Sequence, residues 1–313
     1  MLGPIAYLNG EVVPAAEAKL SVTDMGVVQG VAVSEMIRTF RFQPFKLEEH
    51  LERFEHSLSV VGIEISESKN RFTELVHQIV DSNRKSVPDH HDLGIVVFAT
   101  GGANVTYRGK KHGSSQNRPT VCVHTFELPF ELWVEKLENG QHLVTPQTHQ
   151  LPSEFIDPSI KYRSRMHWYL ADRQAKSLDP QSVAILTNDQ GLLQETATGN
   201  FFIVTKDGLK TPPVEKIFPG ISRATVFELA ESLGIPCMET EIHSVDVLRA
   251  NDAFVTSTPY CLLPVSHFNE QTISDGRMGP VIQQLFDAWS ERVGVDIIEQ
   301  VKRGAVDRLS EAL

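Results

Sequence analysis

Cysteine is scarce: Cys122, Cys237 and Cys261 stand far apart, with no CxxC pair. An odd, dispersed set excludes a disulfide framework and suits a reducing compartment. Long hydrophobic runs are missing too. The longest, such as 95–99, are strand-sized, far short of the roughly 20 apolar residues a membrane span requires. The first ten residues show no basic stretch followed by an apolar core, so no signal peptide is expected. Positive charge is in deficit: 29 Lys+Arg against 40 Asp+Glu gives a net charge of −11. Such a surface repels phosphate backbones, which argues against nucleic-acid binding. Self-contained motifs are also absent, with no GxGxxG, P-loop, HExxH or GxSxG. The 12 histidines are scattered. The neighbours His90 and His91 lack the i, i+4 spacing that turns two rings to one ion, and no metal site is expected. The expectation is a soluble, cytoplasmic protein without a membrane partner.

What is present is ordinary globular material. The 313 residues are 41% hydrophobic and 22% charged, enough for about two domains that need no staples. Strands are expected at 5–8 and 11–13 around Asn9-Gly10, a dipeptide suited to a type I′ hairpin. A second strand pair is expected at 35–40 and 44–46. From Leu47 the apolar spacing becomes helical, with Leu51, Phe54, Leu58 and Val61 forming one stripe, and a second helix covers 67–81. Strands at 93–100 and 120–125 flank a Gly/Lys/Ser-rich stretch, 101–117, with the composition of a long loop. The character changes at Leu128-Pro129. Beyond it strand and helix alternate: strands at 142–145, 182–186, 200–205, 238–241 and 253–256, helices at 164–177 and after Pro219-Gly220, and a last helix at 280–293.

Several separated pieces could carry chemistry. His50 and Arg53 are three apart and share a helix face away from the apolar stripe, where a guanidinium could grip an anion. Phe218-Pro219-Gly220-Ile221-Ser222-Arg223 reads as a turn entering a helix, whose first N–H groups suit a phosphate. Thr256-Ser257-Thr258 closes an apolar strand. Lys161 follows Pro158-Ser159-Ile160, where a lowered pKa would make it a nucleophile toward a carbonyl. Glu195 precedes the small polar run Thr196-Ala197-Thr198-Gly199. Each alone is commonplace. Together, a phosphate-binding helix start, an arginine, a strand-end threonine, one lysine and one glutamate are what pyridoxal 5′-phosphate demands.

The order of these pieces resembles the class IV aminotransferases, the fold-type IV pyridoxal-phosphate family of branched-chain and D-amino-acid aminotransferases, R-selective amine transaminases and aminodeoxychorismate lyase. The likeness begins at Tyr7-Leu8-Asn9-Gly10 and continues through Asp24-Met25-Gly26, where the family has Asp-Arg-Gly. Glu35 falls on the family's Phe-Glu glutamate. Glu49-His50-Leu51-Glu52-Arg53-Phe54 resembles the His-x-x-Arg helix, and Ile160-Lys161 the Schiff-base lysine that opens the next helix. Glu195 to Phe202 resembles Glu-x-x-x-x-Asn-x-Phe, and 218–223 resembles Leu-Pro-Gly-Ile-Thr-Arg. Thr256-Ser257-Thr258 with Leu263-Pro264-Val265 resembles the late Thr-Gly-Thr…Pro-Val element.

The resemblance implies a two-domain α/β (α+β) architecture. A small N-terminal α/β domain, 1–130, would carry the His-x-x-Arg helix. A larger domain, 131–313, would have a barrel-like sheet and carry Lys161 and the phosphate site, with cofactor in the cleft between. It further implies Lys161 as the catalytic residue, and cofactor contacts from Arg53, Glu195, Thr198, Gly199, Asn200, Gly220, Ile221, Ser222 and Thr258. The substrates would be an amino acid, of branched-chain or D-type, and a 2-oxo acid, and the assembly a homodimer. The departures cluster around the substrate. Ser34 stands where relatives have an aromatic residue, Gly101 where D-amino-acid enzymes have an arginine, and Ser164 where the family often has asparagine. Arg165 resembles the lyase's arginine, so a lyase releasing pyruvate is the alternative. Ser34 and Arg165 are the substrate candidates, Arg165 because four residues beyond Lys161 would put both on one helix face. A basic loop with Arg108, Lys110, Lys111 and His112 is a candidate lid.

Overall fold

Asn9 and Gly10 both take positive φ, 52° and 101°, and close a two-residue hairpin in which Leu8 faces Glu11. That is the twist a type I′ turn matches. In the computed structural model, which describes residues 3–108 and 118–311, this hairpin forms one side of a six-stranded antiparallel sheet. The strand order is Glu11–Pro14, Ile5–Leu8, Val121–Glu127, Leu93–Thr100, Ala32–Phe40 and Gln43–Pro44. Helices Leu47–Val61 and Lys69–Asn83 cover one face. Leu51, Phe54 and Leu58 pack with Phe72, Val33 and Ile37. Val61, expected in the same stripe, is 37% exposed, because Gly62 turns left-handed (φ 74°) and ends the helix there. Within 101–117 a short helix, Val105–Arg108, is seen. Lys110, Lys111 and His112 of the expected lid lie outside the described residues.

The first compact unit is Met1–Leu128 together with Ile160–Arg165. The lysine-bearing stretch therefore packs with the N-terminal residues, whereas the sequence reading puts it in the 131–313 domain. The cause is an open sheet edge. Gln43–Pro44 pairs only with Thr39 and Phe40, and the earlier edge groups of the strand need partners. Tyr162 bridges Val33 in antiparallel fashion, Ser34 N–H donates to Lys161 O at 3.0 Å, and Arg163 N–H donates to Ala32 O at 2.9 Å.

The second unit is Pro129–Ser159 with Met166–Leu313. Six of its strands form a closed ring: Asn200–Thr205, Asp252–Ser257, Cys261–Phe268, Gln141–Val144, Ser182–Thr187 and Leu193–Thr196. The ring closes where Glu195 pairs with Asn200. This is the barrel-like sheet expected, and closure removes the edges that would otherwise need cover. Gly208–Thr211 and Cys237–Glu239 extend it outward. Helix Pro280–Val293 begins and ends where expected. A further helix, Ile297–Glu311, lies beyond what the sequence suggests. Gly304 weakens its helical signal, yet a Cβ there would stand 2.3 Å from the Phe130 ring, so close packing requires the glycine. Among the described residues no helix is long and apolar enough to cross a membrane.

Candidate active site

In the first unit the residues around Lys161 come from one helix face and one strand. His50, Arg53 and Ser57 recur at spacings of three and four along Leu47–Val61, so they look the same way. Beneath them lies Glu35, fully buried on the strand Ala32–Phe40. Its carboxylate meets His50 Nδ1 at 2.7 Å and accepts from Arg53 Nε at 2.8 Å and Nη2 at 2.7 Å. Two parallel N–H donors on one carboxylate make a strong, planar grip. Burial pushes the Glu35 carboxyl up, but Arg53 and the His50 hydrogen bond more than reverse it and hold it at about 2. Burial pulls the His50 imidazole down. Ser57 Oγ accepts from Lys161 N–H at 3.2 Å, so both backbone amide groups of Lys161 are fixed. Loss of water is the largest influence on the Lys161 amine. Glu35 opposes it, Arg53, Arg165 and Arg163 add to it, and the pKa falls to about 8.

Two expectations are corrected here. The helix face away from the apolar stripe, where Arg53 is expected, is covered rather than open: the Arg53 side chain is 9% exposed and locked to Glu35. Arg53→Ala would therefore not leave the fold intact, because it strands a buried carboxylate. Breaking such a pair costs about 3–5 kcal/mol, and urea unfolding at pH 7 should read that loss. A loss under about 1 kcal/mol would mean the pair behaves like a surface salt bridge. The sign with pH follows from the lowered carboxyl pKa. In the intact protein the pair's stabilisation is present above the ordinary value of 4.5 and is lost as pH falls through about 2. Arg165 is the second correction. The helix starts at Met166, and Lys161 lies in the extended stretch before it, so the two share no helix face. Arg165 N–H instead closes a turn onto Arg163 O at 2.9 Å, while its charge still reaches Lys161. Ser34, buried, sits directly beside Lys161 through the backbone bond above.

The second unit gathers its polar groups where the strand ring closes. Glu195 is buried, and its carboxylate accepts from Phe218 N–H at 3.1 Å, Gln150 Nε2 at 3.3 Å and Asn200 Nδ2 at 3.2 Å. Three donors around one carboxylate favour its anionic form. Between Glu195 and Asn200 the chain makes a tight turn. Thr196 Oγ1 donates to Gly199 O at 2.9 Å and accepts from Gly199 N–H at 3.0 Å. A Cβ on Gly199 would lie 2.8 Å from both Thr256 O and the Tyr260 hydroxyl. That hydroxyl is buried and hydrogen-bonded to the side chains of Thr198 and Ser257; burial pushes it up to about 12. Asn200 pairs with Thr256 across the ladder and donates to Phe218 O at 2.9 Å. A Cβ on Gly220 would stand 2.1 Å from Asn200 Oδ1. Helix Ile221–Ser232 starts at that glycine, and no side chain among the described residues caps it. Thr258 is half-buried in the turn after Asp252–Ser257.

The structure thus brings Ser34, Arg53, Lys161 and Arg165 together in one unit. In the other, the Asn200 side chain joins Glu195 to the turn at Phe218 and Gly220, Thr198 and Gly199 lie in the turn between Glu195 and Asn200, and Ile221 and Ser222 open the helix. The sequence reading missed Gln150, Tyr260 and the charge cluster of Glu35 with His50. Apart from that of Tyr260 with Ser257, three residues away, their contacts span 15 to 62 residues of chain, and no local spacing reports those. Arg223, within the helix-entry motif, is a fold anchor. It donates to Glu239 at 2.6 Å and Pro212 O at 3.2 Å and lies over the Phe227 ring.

Each unit, taken by itself, holds groups that suit pyridoxal 5′-phosphate. An amine with a lowered pKa suits attack on an aldehyde, and an anionic, triply held carboxylate suits a protonated ring nitrogen. An uncapped helix start with a glycine that no side chain could replace suits a phosphate.

Comparison with known proteins agrees. The family model for amino-transferase class IV matches residues 32–268. A Methanocaldococcus jannaschii protein, provisionally named a branched-chain-amino-acid aminotransferase, is 29% identical over 91% of this chain and 95% of its own. A D-alanine aminotransferase of Staphylococcus aureus is 28% identical over 92% of this chain and 97% of its own. Among solved structures, the branched-chain amino acid aminotransferase of T.th, complexed with N-(5′-phosphopyridoxyl)-L-glutamate, superposes with a TM-score of 0.81 at 24% identity, covering 93% of this chain and 95% of its own. The chain belongs to the amino-transferase class IV family, and it is a pyridoxal 5′-phosphate-dependent aminotransferase.

Proposed function

We propose that the enzyme moves the amino group of an amino acid, of branched-chain or D-type, to a 2-oxo acid. The observation that carries this reading is the setting of Lys161, whose backbone is pinned by Ser34 N–H and Ser57 Oγ and whose amine burial and three arginines lower to about 8. Near neutral pH a useful fraction of it is unprotonated, so it can attack a carbonyl carbon and, once displaced by the donor's amine, carry a proton. The bound cofactor supplies an electron-poor ring that stabilises negative charge at the donor's Cα. Glu195 offers a fixed anionic acceptor for the ring nitrogen's proton. Arg53, Thr258 and the N–H groups of Ile221 and Ser222 would bind the phosphate, and the Thr198-Gly199 turn with Asn200 and Gly220 would shape the seat. The relatives' names support amino-acid donors, and this reading extends to a homodimer in the cytoplasm, which light scattering on the purified protein and cell fractionation would test.

A donor panel of L- and D-amino acids, with and without a 2-oxo acid, tests the proposal. Product that requires the acceptor supports it. Pyruvate released from an aminodeoxychorismate-type substrate without acceptor would favour the lyase instead.

Ser34 and Arg165 are proposed at the substrate. An amino acid's carboxylate needs a cation or N–H donors near Lys161, or its desolvation goes uncompensated. Arg165→Ala is expected to raise KM for amino acids by about tenfold or more, the worth of one charge-assisted hydrogen bond, and to spare amines lacking a carboxylate. Steady-state kinetics on one matched donor pair decides. Equal losses for both donors would place Arg165 with the protein or cofactor rather than the substrate.

A further inference from the structure

We propose that Glu35 is a positioning residue for this chemistry: from beneath the helix it holds the Arg53 guanidinium in one plane and supplies the negative charge that offsets the arginines around the Lys161 amine. The inference rests on Lys161 being the amine that takes the cofactor.

Glu35 occupies a costly position. Its strand neighbours on the same face, Val33 and Ile37, are fully buried core residues under the helices Leu47–Val61 and Lys69–Asn83. A valine or isoleucine between them would serve packing better than an ion pair does. The carboxylate nonetheless sits there with 0% exposure and three hydrogen-bonded contacts, two to Arg53 and one to His50. Its surroundings also grip the lysine. Ser34, next in the strand, donates to Lys161 O, and Ser57, on the helix face of His50 and Arg53, accepts from Lys161 N–H. Among the described residues, the foremost charges acting on the amine are Glu35, Arg53, Arg165 and Arg163, with His50, held on Glu35, coupled to it as well. Glu35 is the anion among these foremost charges, and it opposes three guanidinium groups.

Competitive acetylation of the full-length, cofactor-freed protein with acetic anhydride, read by peptide mass spectrometry, follows Lys161 against pH without any cofactor. The wild-type midpoint is expected near 8. In Glu35→Gln it should fall by about one unit, the size of a lost nearby opposite charge. Glu35→Asp keeps the charge and should keep the midpoint while lowering the melting temperature. A purely structural Glu35 would lower stability in both variants and leave both midpoints unmoved, which overturns the proposal. If Glu35→Gln alone does not fold, the double variant Glu35→Gln/Arg53→Gln removes both opposed charges and should return the midpoint to within a few tenths of wild type. A fall there as large as one unit overturns the proposal equally. Failure of the underlying reading shows separately, as wild-type protein that does not take pyridoxal phosphate on Lys161.

Discussion

Lys161→Ala is expected to fold, to lose covalent attachment of the cofactor and to lose turnover by at least about 10³-fold, within the range for removing a positioned general base. The fold should survive because the contacts that fix this stretch are backbone ones: Lys161 O accepts from Ser34 N–H and Lys161 N–H donates to Ser57 Oγ. Alanine retains both. Only the amine is lost, and with it the nucleophile and the proton carrier. Borohydride reduction of the wild-type holoenzyme followed by peptide mapping should place the cofactor on Lys161. Lys176, in the helix Met166–Leu178, is the nearest lysine in sequence to test against it. A label on Lys176, or undiminished turnover in Lys161→Ala, would sink the assignment of the amine.

Local signals in the chain were readable where one stretch decides its own conformation. Asn9-Gly10 carries its turn in its φ preferences, the stripe from Leu51 to Leu58 carries its helix, and Asn200–Thr205 is an apolar β-rich run between turn residues. The misreadings share a different origin. Residues after Pro158-Ser159 look like a helix entry. A free strand edge more than 120 residues upstream captures 160–163 instead, and the helix waits until Met166. Leu193–Thr196 is mostly polar, and its four residues carry no strand signal; they become strand because ring closure supplies Asn200 as a partner and buries them. Cys261–Phe268 contains Pro264, which argues against a strand from sequence, yet the ladder accommodates it opposite Phe254.

The same division runs through the candidate site. Residue types in order, Lys161, Glu195 and the 218–223 turn among them, could be read along the chain. What Arg53 touches could not, because Glu35 meets it across 18 residues and two kinds of secondary structure. A helix-face rule places His50 and Arg53 together but is silent on the strand beneath. Hence the sequence reading of a guanidinium aimed at a ligand's anion, where the structure shows one held in two contacts by the chain's own buried Glu35.

Glu195→Gln is expected to retain cofactor and fold while losing about 10²–10³ in kcat, the usual cost of removing a preorganised electrostatic contact. The surroundings of Glu195 make this a sharp test. Oε1 accepts from Phe218 N–H and Gln150 Nε2, and Oε2 accepts from Asn200 Nδ2. Glutamine can keep its oxygen toward the first two donors, but its amide NH2 then faces the Asn200 NH2. Asn200 still donates to Phe218 O, so the turn into helix Ile221–Ser232 keeps that hold, and the stability loss should stay near the roughly 1–3 kcal/mol of one unsatisfied buried group. The chemistry suffers more. A neutral amide cannot hold a ring nitrogen protonated, so negative charge at the donor's Cα has no sink. Cofactor content by absorbance, melting temperature and kcat on one purified variant separate these effects. Near-normal kcat with full cofactor would make Glu195 a structural clasp for the closed strand ring and leave the ring nitrogen to another group.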